Sequence, residues 1–187
     1  EGLVGEIALY DIDHAKANAQ AEDIADAVTY LRSRTKIVAA ENFSTAKNAD
    51  VLVVAAGPLP DISAGETDRA QSLNRTLAVF DDILPQIKNS GFDGIILNIS
   101  NPADVITQYL QVKLNWAPAK IFSTSTTLDS ARLRRILAGT LGVAQQSVSA
   151  LILGEHGEAQ FPAWSQTSIG GEPLYHFLKR NAARLGN

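Results

Sequence analysis

The sequence predicts a doubly wound parallel α/β sheet, and three observations carry that reading. Short runs that are apolar on consecutive residues recur along the 187-residue chain. Each ends at a polar or glycine-containing turn. Helix-favouring stretches separate them, the alternation that builds βαβ units. The runs are 7–10 (IALY), 51–56 (VLVVAA) and 94–99 (GIILNI), with a weaker one at 37–40 and a fifth at 120–122. Runs apolar on every residue predict strands buried on both faces beneath helices.

Between the runs, 14–31 is alanine-rich and helix-favouring. The stretch 70–88 sets Leu73, Leu77, Phe80, Ile83, Leu84 and Ile87 at spacings of three and four, an amphipathic stripe. Pro85 inside it is predicted to kink or loosen the helix. A helix over 103–112 follows Asn101-Pro102, with proline near its first turn, and another over 128–141 stops near Gly142. After about residue 125 the character changes. The run 148–153 (VSALIL) reads as one strand, 166–171 as a strand and turn, and 173–185 as a helix. Residues 1–125 are therefore expected to form the sheet domain and 126–187 the beginning of a second, α+β domain.

Composition narrows the function classes. Hydrophobic residues make up 45% and charged residues 19%, enough for a packed core. Sixteen Lys+Arg against twenty Asp+Glu leave a net charge of -4 with no basic run, which argues against a nucleic-acid binder. The absence of Cys excludes a disulfide scaffold, a thiolate metal site and a cysteine nucleophile. The longest apolar run, 51–57, is far short of the roughly 20 residues that span a bilayer, so no membrane partner is expected. The start, EGLVGEIALYD, has neither a basic nor a long apolar signal region. With the missing Cys, that predicts a cytoplasmic protein. Met is absent altogether and the tail ends abruptly, so a piece of a longer protein is expected.

Several residues are candidates for chemistry. Asp11 directly follows the first strand, where an acid in a dinucleotide-binding fold accepts hydrogen bonds from the adenosine ribose hydroxyls and disfavours a 2′-phosphate. Its plain alternative is a helix cap. The glycine-rich phosphate loop that should precede this strand is missing, since Gly2 and Gly5 stand too close to it. Asn101 ends the third strand, where its amide can donate and accept, or simply cap the next helix. Asp129 and Arg132, three apart, share a helix face, as a surface ion pair would. Arg69 sits on a polar loop containing Gly65, of a length often used for lids. His156, flanked by Gly154 and Gly157, closely follows a strand, and an imidazole is the natural proton exchanger near neutral pH. No second His stands at metal-ligand spacing, so no metal is expected.

In order and spacing, the segments IALYDID, VLVVAAG, ETDR, ISNPADVIT, TTLDSARLRRIL and LGEHGEAQFPAWS resemble the L-lactate/L-malate dehydrogenase family over essentially the whole chain. The long loop between Gly57 and Arg69, and FPAWS after GEHG, are most similar to the L-2-hydroxyisocaproate dehydrogenase branch. The resemblance implies an incomplete Rossmann sheet lacking its first strand and phosphate loop, followed by the start of the substrate domain. It implies NAD as cofactor, with Asp11 on the ribose, Ala55, Ala56 and Gly57 beneath the adenosine half, and Asn101 on the nicotinamide side. It also implies that His156 is the general acid/base, Asp129 the carboxylate that orients it, Arg132 the clamp on the substrate carboxylate, and Arg69 the loop arginine that polarises the carbonyl. Arg69, Asn101, Arg132 and His156 would together bind the substrate.

Three positions depart from the family pattern. Ser123 and Ser125 stand where the family commonly has Gly, which is expected to crowd the nicotinamide region. Near Ser63 there is no arginine for a second carboxylate, which disfavours malate. The expected activity is hydride transfer between NAD(H) and a 2-oxo or 2-hydroxy acid with an apolar side chain, in a homo-oligomer (dimer or tetramer). The rivals are a non-catalytic fragment or binding module of that family, and a malate dehydrogenase.

Overall fold

The computed structural model describes residues 3–58 and 73–186. Two compact units divide the chain: residues 1–52 with 78–96, and residues 53–77 with 97–187.

In the first unit, strand β1 (Glu6–Leu9) pairs in parallel with β2 (Lys36–Ala39), from Glu6 opposite Lys36 to Leu9 opposite Ala39. The crossover between them is helix α1 (His14–Val28). Its N-cap Asp13 accepts a bond from the Lys16 N–H and supplies one of the partners a helix start lacks. The helix buries only small side chains, Ala17 and Ala21. It unwinds where the Thr29, Tyr30 and Leu31 N–H groups turn to carbonyls three residues back. A 3-10 turn over Phe43–Asn48 leads to β3 (Val51–Val54), whose first half belongs here.

Helix α2 (Leu73–Ser90) follows. Within this unit its Phe80, Leu84 and Ile87 are buried, as the predicted stripe requires. Pro85 does not break it. The helix runs on as one element because Pro85 is exposed, so the ring and the carbonyl it leaves face water. Gly94, at the entry to β4 (Ile95–Asn98), has no room for a side chain: a Cβ there would collide with the Asp50 carbonyl oxygen, which accepts the Ile95 N–H.

In the second unit, the ends of β3 and β4 continue into a sheet of order β3-β4-β5, with β5 at Ile121–Ser123. The Ile99 N–H donates to the Val54 carbonyl and the Thr124 N–H to the Asn98 carbonyl. Helix α3 (Ala103–Leu114) buries Ala103, Ile106, Leu110 and Leu114 at helical spacing and closes on Asn115 in a left-handed cap. Helix α4 (Thr127–Leu141) follows β5 and ends at Gly142, φ 62.

The remainder forms small antiparallel pairs. Strands β6 (Val148–Ser149), β9 (Ser168–Ile169) and β10 (Glu172–Pro173) make one sheet, and β7 (Ile152–Leu153) with β8 (Phe161–Pro162) makes another. Helices α5 (Leu174–Arg180) and α6 (Ala182–Leu185) close the described chain. Ala138, Leu141, Val148, Ala150, Ile169 and Phe177 form the core they share with α4.

Two expectations are corrected here. The run 148–153 is two strands in two sheets, because the Ala150 carbonyl accepts from Arg134 Nε and the Leu151 carbonyl accepts from the Ala163 N–H. The consecutive apolar runs are not buried on both faces: Val51 and Val53 are 48% and 53% exposed, while Val54 and Ile96 are buried. Within the described residues those strands show one wet face, so their unbroken apolar pattern reports more burial than these residues supply.

Candidate active site

The second unit brings three of the sequence candidates together. Asp129 lies in the first turn of α4, where a negative charge suits the helix dipole. Its Oδ1 accepts a bond from Arg132 Nη1 at 3.1 Å, one turn along the same helix. Its Oδ2 stands 2.6 Å from Nδ1 of His156. The His156 and Asp129 side chains are only 13% and 12% exposed, whereas Arg132 is 56% exposed and presents the rest of its donor fork to solvent. The imidazole–carboxylate approach lies off the line of a straight hydrogen bond, so the two stand in close contact at 2.6 Å.

The backbone around His156 is held from several directions. Residue Ile152 in β7 is clamped by α4 at both polar groups: its N–H donates to Ser130 Oγ at 2.9 Å and its carbonyl accepts from Thr126 Oγ1 at 2.7 Å. After β7 the chain passes Gly154, φ 96, where a Cβ would lie 2.8 Å from the Ala159 carbonyl. A left-handed residue that close to another backbone has to be glycine. The Gly157 N–H then bonds the Glu155 carbonyl at 2.7 Å. His156 is thus the middle residue of a tight three-residue turn, and its side chain is turned to Asp129. Of the two flanking glycines read in the sequence, Gly154 is the one whose backbone requires glycine.

Asn101 is exposed and does not cap the helix; the N-cap of α3 is Pro102, with no side-chain cap bond. The Asn101-Pro102 peptide is cis. The turn that presents Asn101 is built by a residue sequence reasoning missed, Asn98, which is completely buried. Its Nδ2 donates toward the Ser100 carbonyl, the Ala103 carbonyl and Thr107 Oγ1, and its Oδ1 accepts from the Ser100 N–H. One signal could have found it: a lone amide inside an apolar strand must find partners once buried. Asp104, Thr126 and Ser130 were missed as well, because their partners lie in distant segments.

Gly57 ends β3 with φ 135, and a Cβ there would press on Thr76 at 3.3 Å. Ala56, beside it, is half-buried. Ser125 adopts φ 39, a left-handed conformation that glycine enters more cheaply.

Asp11, in the first unit, sits just past β1 and is not a helix cap. Its Oδ1 accepts the Asp13 N–H at 3.0 Å and its Oδ2 accepts from Lys16 Nζ at 3.0 Å. The Asp13 N–H first, and Lys16 second, hold its carboxyl below the usual 3.8. A pocket of about 230 Å³ opens beside it, between Leu9, Tyr10, Lys16 and Ile24. A partly exposed carboxylate with unused lone pairs beside a pocket suits the two hydroxyls of a ribose. Arg69 lies outside the described residues, as do Ser63 and Gly65. Among the described residues no cluster of three or more His, Cys, Asp or Glu could hold a metal, and no helix is long and apolar enough to cross a membrane.

An α/β framework whose second unit carries a buried imidazole–carboxylate pair beside an arginine defines the class of fold and site. Within that class the chain belongs to the lactate/malate dehydrogenase family. Residues 1–123 match the family's NAD binding domain and residues 126–184 its alpha/beta C-terminal domain. Among curated relatives, L-lactate dehydrogenase 3 of Bacillus thuringiensis subsp. konkukian is 36% identical over all 187 residues, which cover 58% of that protein. L-lactate dehydrogenase of Lactococcus lactis subsp. cremoris is 35% identical over 97% of the chain and 56% of its own length. The chain thus spans a little over half the length of the curated relatives it matches. A crystal structure of a lactate dehydrogenase from a Medee basin deep-sea metagenome library superposes with a TM-score of 0.85 at 31% identity, over 94% of this chain and 55% of that one. The minor L-lactate dehydrogenase of Enterococcus mundtii gives 0.86 at 28%, over 95% and 55%.

Proposed function

We propose that this chain is part of an NAD-dependent L-2-hydroxyacid dehydrogenase that interconverts a 2-oxo acid and its L-2-hydroxy acid, with an apolar side chain of lactate or 2-hydroxyisocaproate type. The observation that carries the reading is the buried contact of His156 Nδ1 with Asp129 Oδ2 at 2.6 Å. With Nδ1 turned to Asp129, Nε2 is the nitrogen that exchanges a proton with the substrate oxygen. Asp129 fixes the ring and stabilises the imidazolium formed when the hydroxy acid is oxidised. Arg132, one helical turn away and largely exposed, offers a planar fork to the substrate carboxylate. Arg69 fits the role of the loop arginine that polarises the carbonyl and helps exclude water.

Asp11 would hold the ribose of the cofactor, Asn101 its carboxamide, and Ala56 and Gly57 the adenosine half. When bound, NAD(H) supplies or takes up the hydride at the substrate carbon. In the reducing direction His156 would give the substrate oxygen the proton that balances the hydride gained at carbon. The domain division at about residue 125, a cytoplasmic setting and a homo-oligomeric assembly belong to the same reading.

The test is NADH oxidation by the protein with pyruvate, a branched 2-oxo acid and oxaloacetate. Turnover with the first two and little with oxaloacetate is expected. His156→Ala should lower turnover by about a hundredfold to ten-thousandfold while NADH binding, followed by fluorescence, is kept. Unchanged turnover would sink the assignment, and preference for oxaloacetate would replace the apolar-substrate reading with a malate one.

A further inference from the structure

We infer that Asp104 is a positioning residue for His156: one carboxylate holds both the turn that carries the imidazole and the turn that launches the helix carrying Asp129. The inference rests on the reading of His156 as the acid/base. Asp104 lies in the first turn of α3, is half-buried, and is used at both oxygens. Its Oδ2 accepts the backbone N–H of His156 at 2.9 Å across 52 residues of sequence. Its Oδ1 accepts the Ser125 hydroxyl at 3.1 Å across 21 residues.

These two bonds close a ring of contacts. From Asp104 the path runs to Ser125, then into α4 and Asp129, across to the His156 ring, and back through the His156 backbone to Asp104. Asp129 alone would hold the imidazole at Nδ1, with nothing fixing the His156 N–H from which the side chain departs. The Asp104 bond fixes the origin, so the ring is constrained at both ends. Bonds to charged acceptors are the stronger kind, and the first turn of α3 is a favourable place for a negative charge. Ser125 also gains a role: its hydroxyl holds the Asp104 carboxylate in place, an interaction that a glycine at this position could not make.

Asp104→Asn keeps the shape and one acceptor oxygen, and Ser125→Ala removes only the hydroxyl tie. Both are compared with the unsubstituted protein by turnover with a 2-oxo acid, by NADH affinity, and by NMR of the His156 backbone amide and ring nitrogens. Asp104→Asn should move the amide proton upfield and change the ring-nitrogen signals, with a ten- to hundredfold loss of kcat at unchanged NADH affinity. Ser125→Ala should produce the same changes to a smaller degree, and it decides the matter if Asp104→Asn fails to fold. The inference is overturned if the His156 amide does not move, or if it moves while the ring signals and kcat stay within twofold of the unsubstituted values. If the unsubstituted protein turns over no 2-oxo acid, the dehydrogenase reading fails by itself. The amide and ring signals then still decide whether Asp104 places His156.

Discussion

Asp11 and Asp129 both enter as acids in short motifs, yet the molecule holds them in opposite ways. Asp11 is fixed by partners two and five residues away, on a surface where its side chain is 34% exposed. Asp129 faces an imidazole from a distant segment, at 12% exposure, and the surrounding ties bridge 22, 26 and 52 residues. Asp11 is therefore held locally, by its own strand-to-helix turn. The Asp129–His156 contact is a tertiary product, tied together by α3, α4 and β7. Disturbing the second region should cost turnover and stability together, and disturbing the first should cost little stability.

The sharpest way to break that contrast is Asp129→Asn. An amide keeps the shape and can still bond Arg132, but it cannot balance an imidazolium. Turnover should fall by about a hundredfold to ten-thousandfold, read in single-turnover experiments, with NADH affinity unchanged. If affinity fell equally, the pair would be part of the cofactor site and the two regions would not be separable. The next effect is on stability. Asn98→Ala leaves the buried Ser100 N–H without its acceptor and opens a void, at about 2 to 3 kcal/mol. A lower urea midpoint at unchanged slope would be the sign.

How much of this was legible in the sequence follows the same division. The alternation of strands and helices, the α2 stripe, the His156 turn with its two glycines and the Asp129–Arg132 face could all be read, because each depends on residues within a few positions of one another. Family likeness then joined His156 to Asp129, which spacing alone could not do. The rest depended on folding. Nothing near Asp104 in sequence announces that it accepts the His156 N–H, and nothing in VSALIL says that the Ala150 and Leu151 carbonyls are claimed by Arg134 and Ala163. Pro85 shows the limit of local reading: the residue alone predicts a kink or loosening, and the helix runs through it as one element with Pro85 exposed.

A milder perturbation, Ser130→Ala, separates the clamp on β7 from the chemistry. It removes the acceptor of the Ile152 N–H and leaves Thr126 on the Ile152 carbonyl. The expected loss is about 1 kcal/mol of stability, together with a severalfold drop in turnover. Stability lost without any change in turnover would mean that the β7 backbone does not transmit position to His156, four residues on.

The smallest effect is expected at Asp11 and Lys16. The carboxyl is held below 3.8 by the Asp13 N–H and then by Lys16, and the Lys16 ammonium is held above 10.5 chiefly by its bond to Asp11. A lowered carboxyl contributes stability that is present above 3.8 and disappears as pH falls through its folded value. A raised ammonium contributes stability that is present below 10.5 and disappears as pH rises through its own. Lys16→Gln should therefore lower the unfolding midpoint slightly and evenly between those limits, and the gap to the unsubstituted protein should close in acid once Asp11 is protonated. Solvent screens a pair this exposed, so the gap should also shrink in high salt. A large gap, or one that persisted in acid, would mean that Lys16 packs against more than Asp11. The first region would then be tied into the fold as tightly as the second.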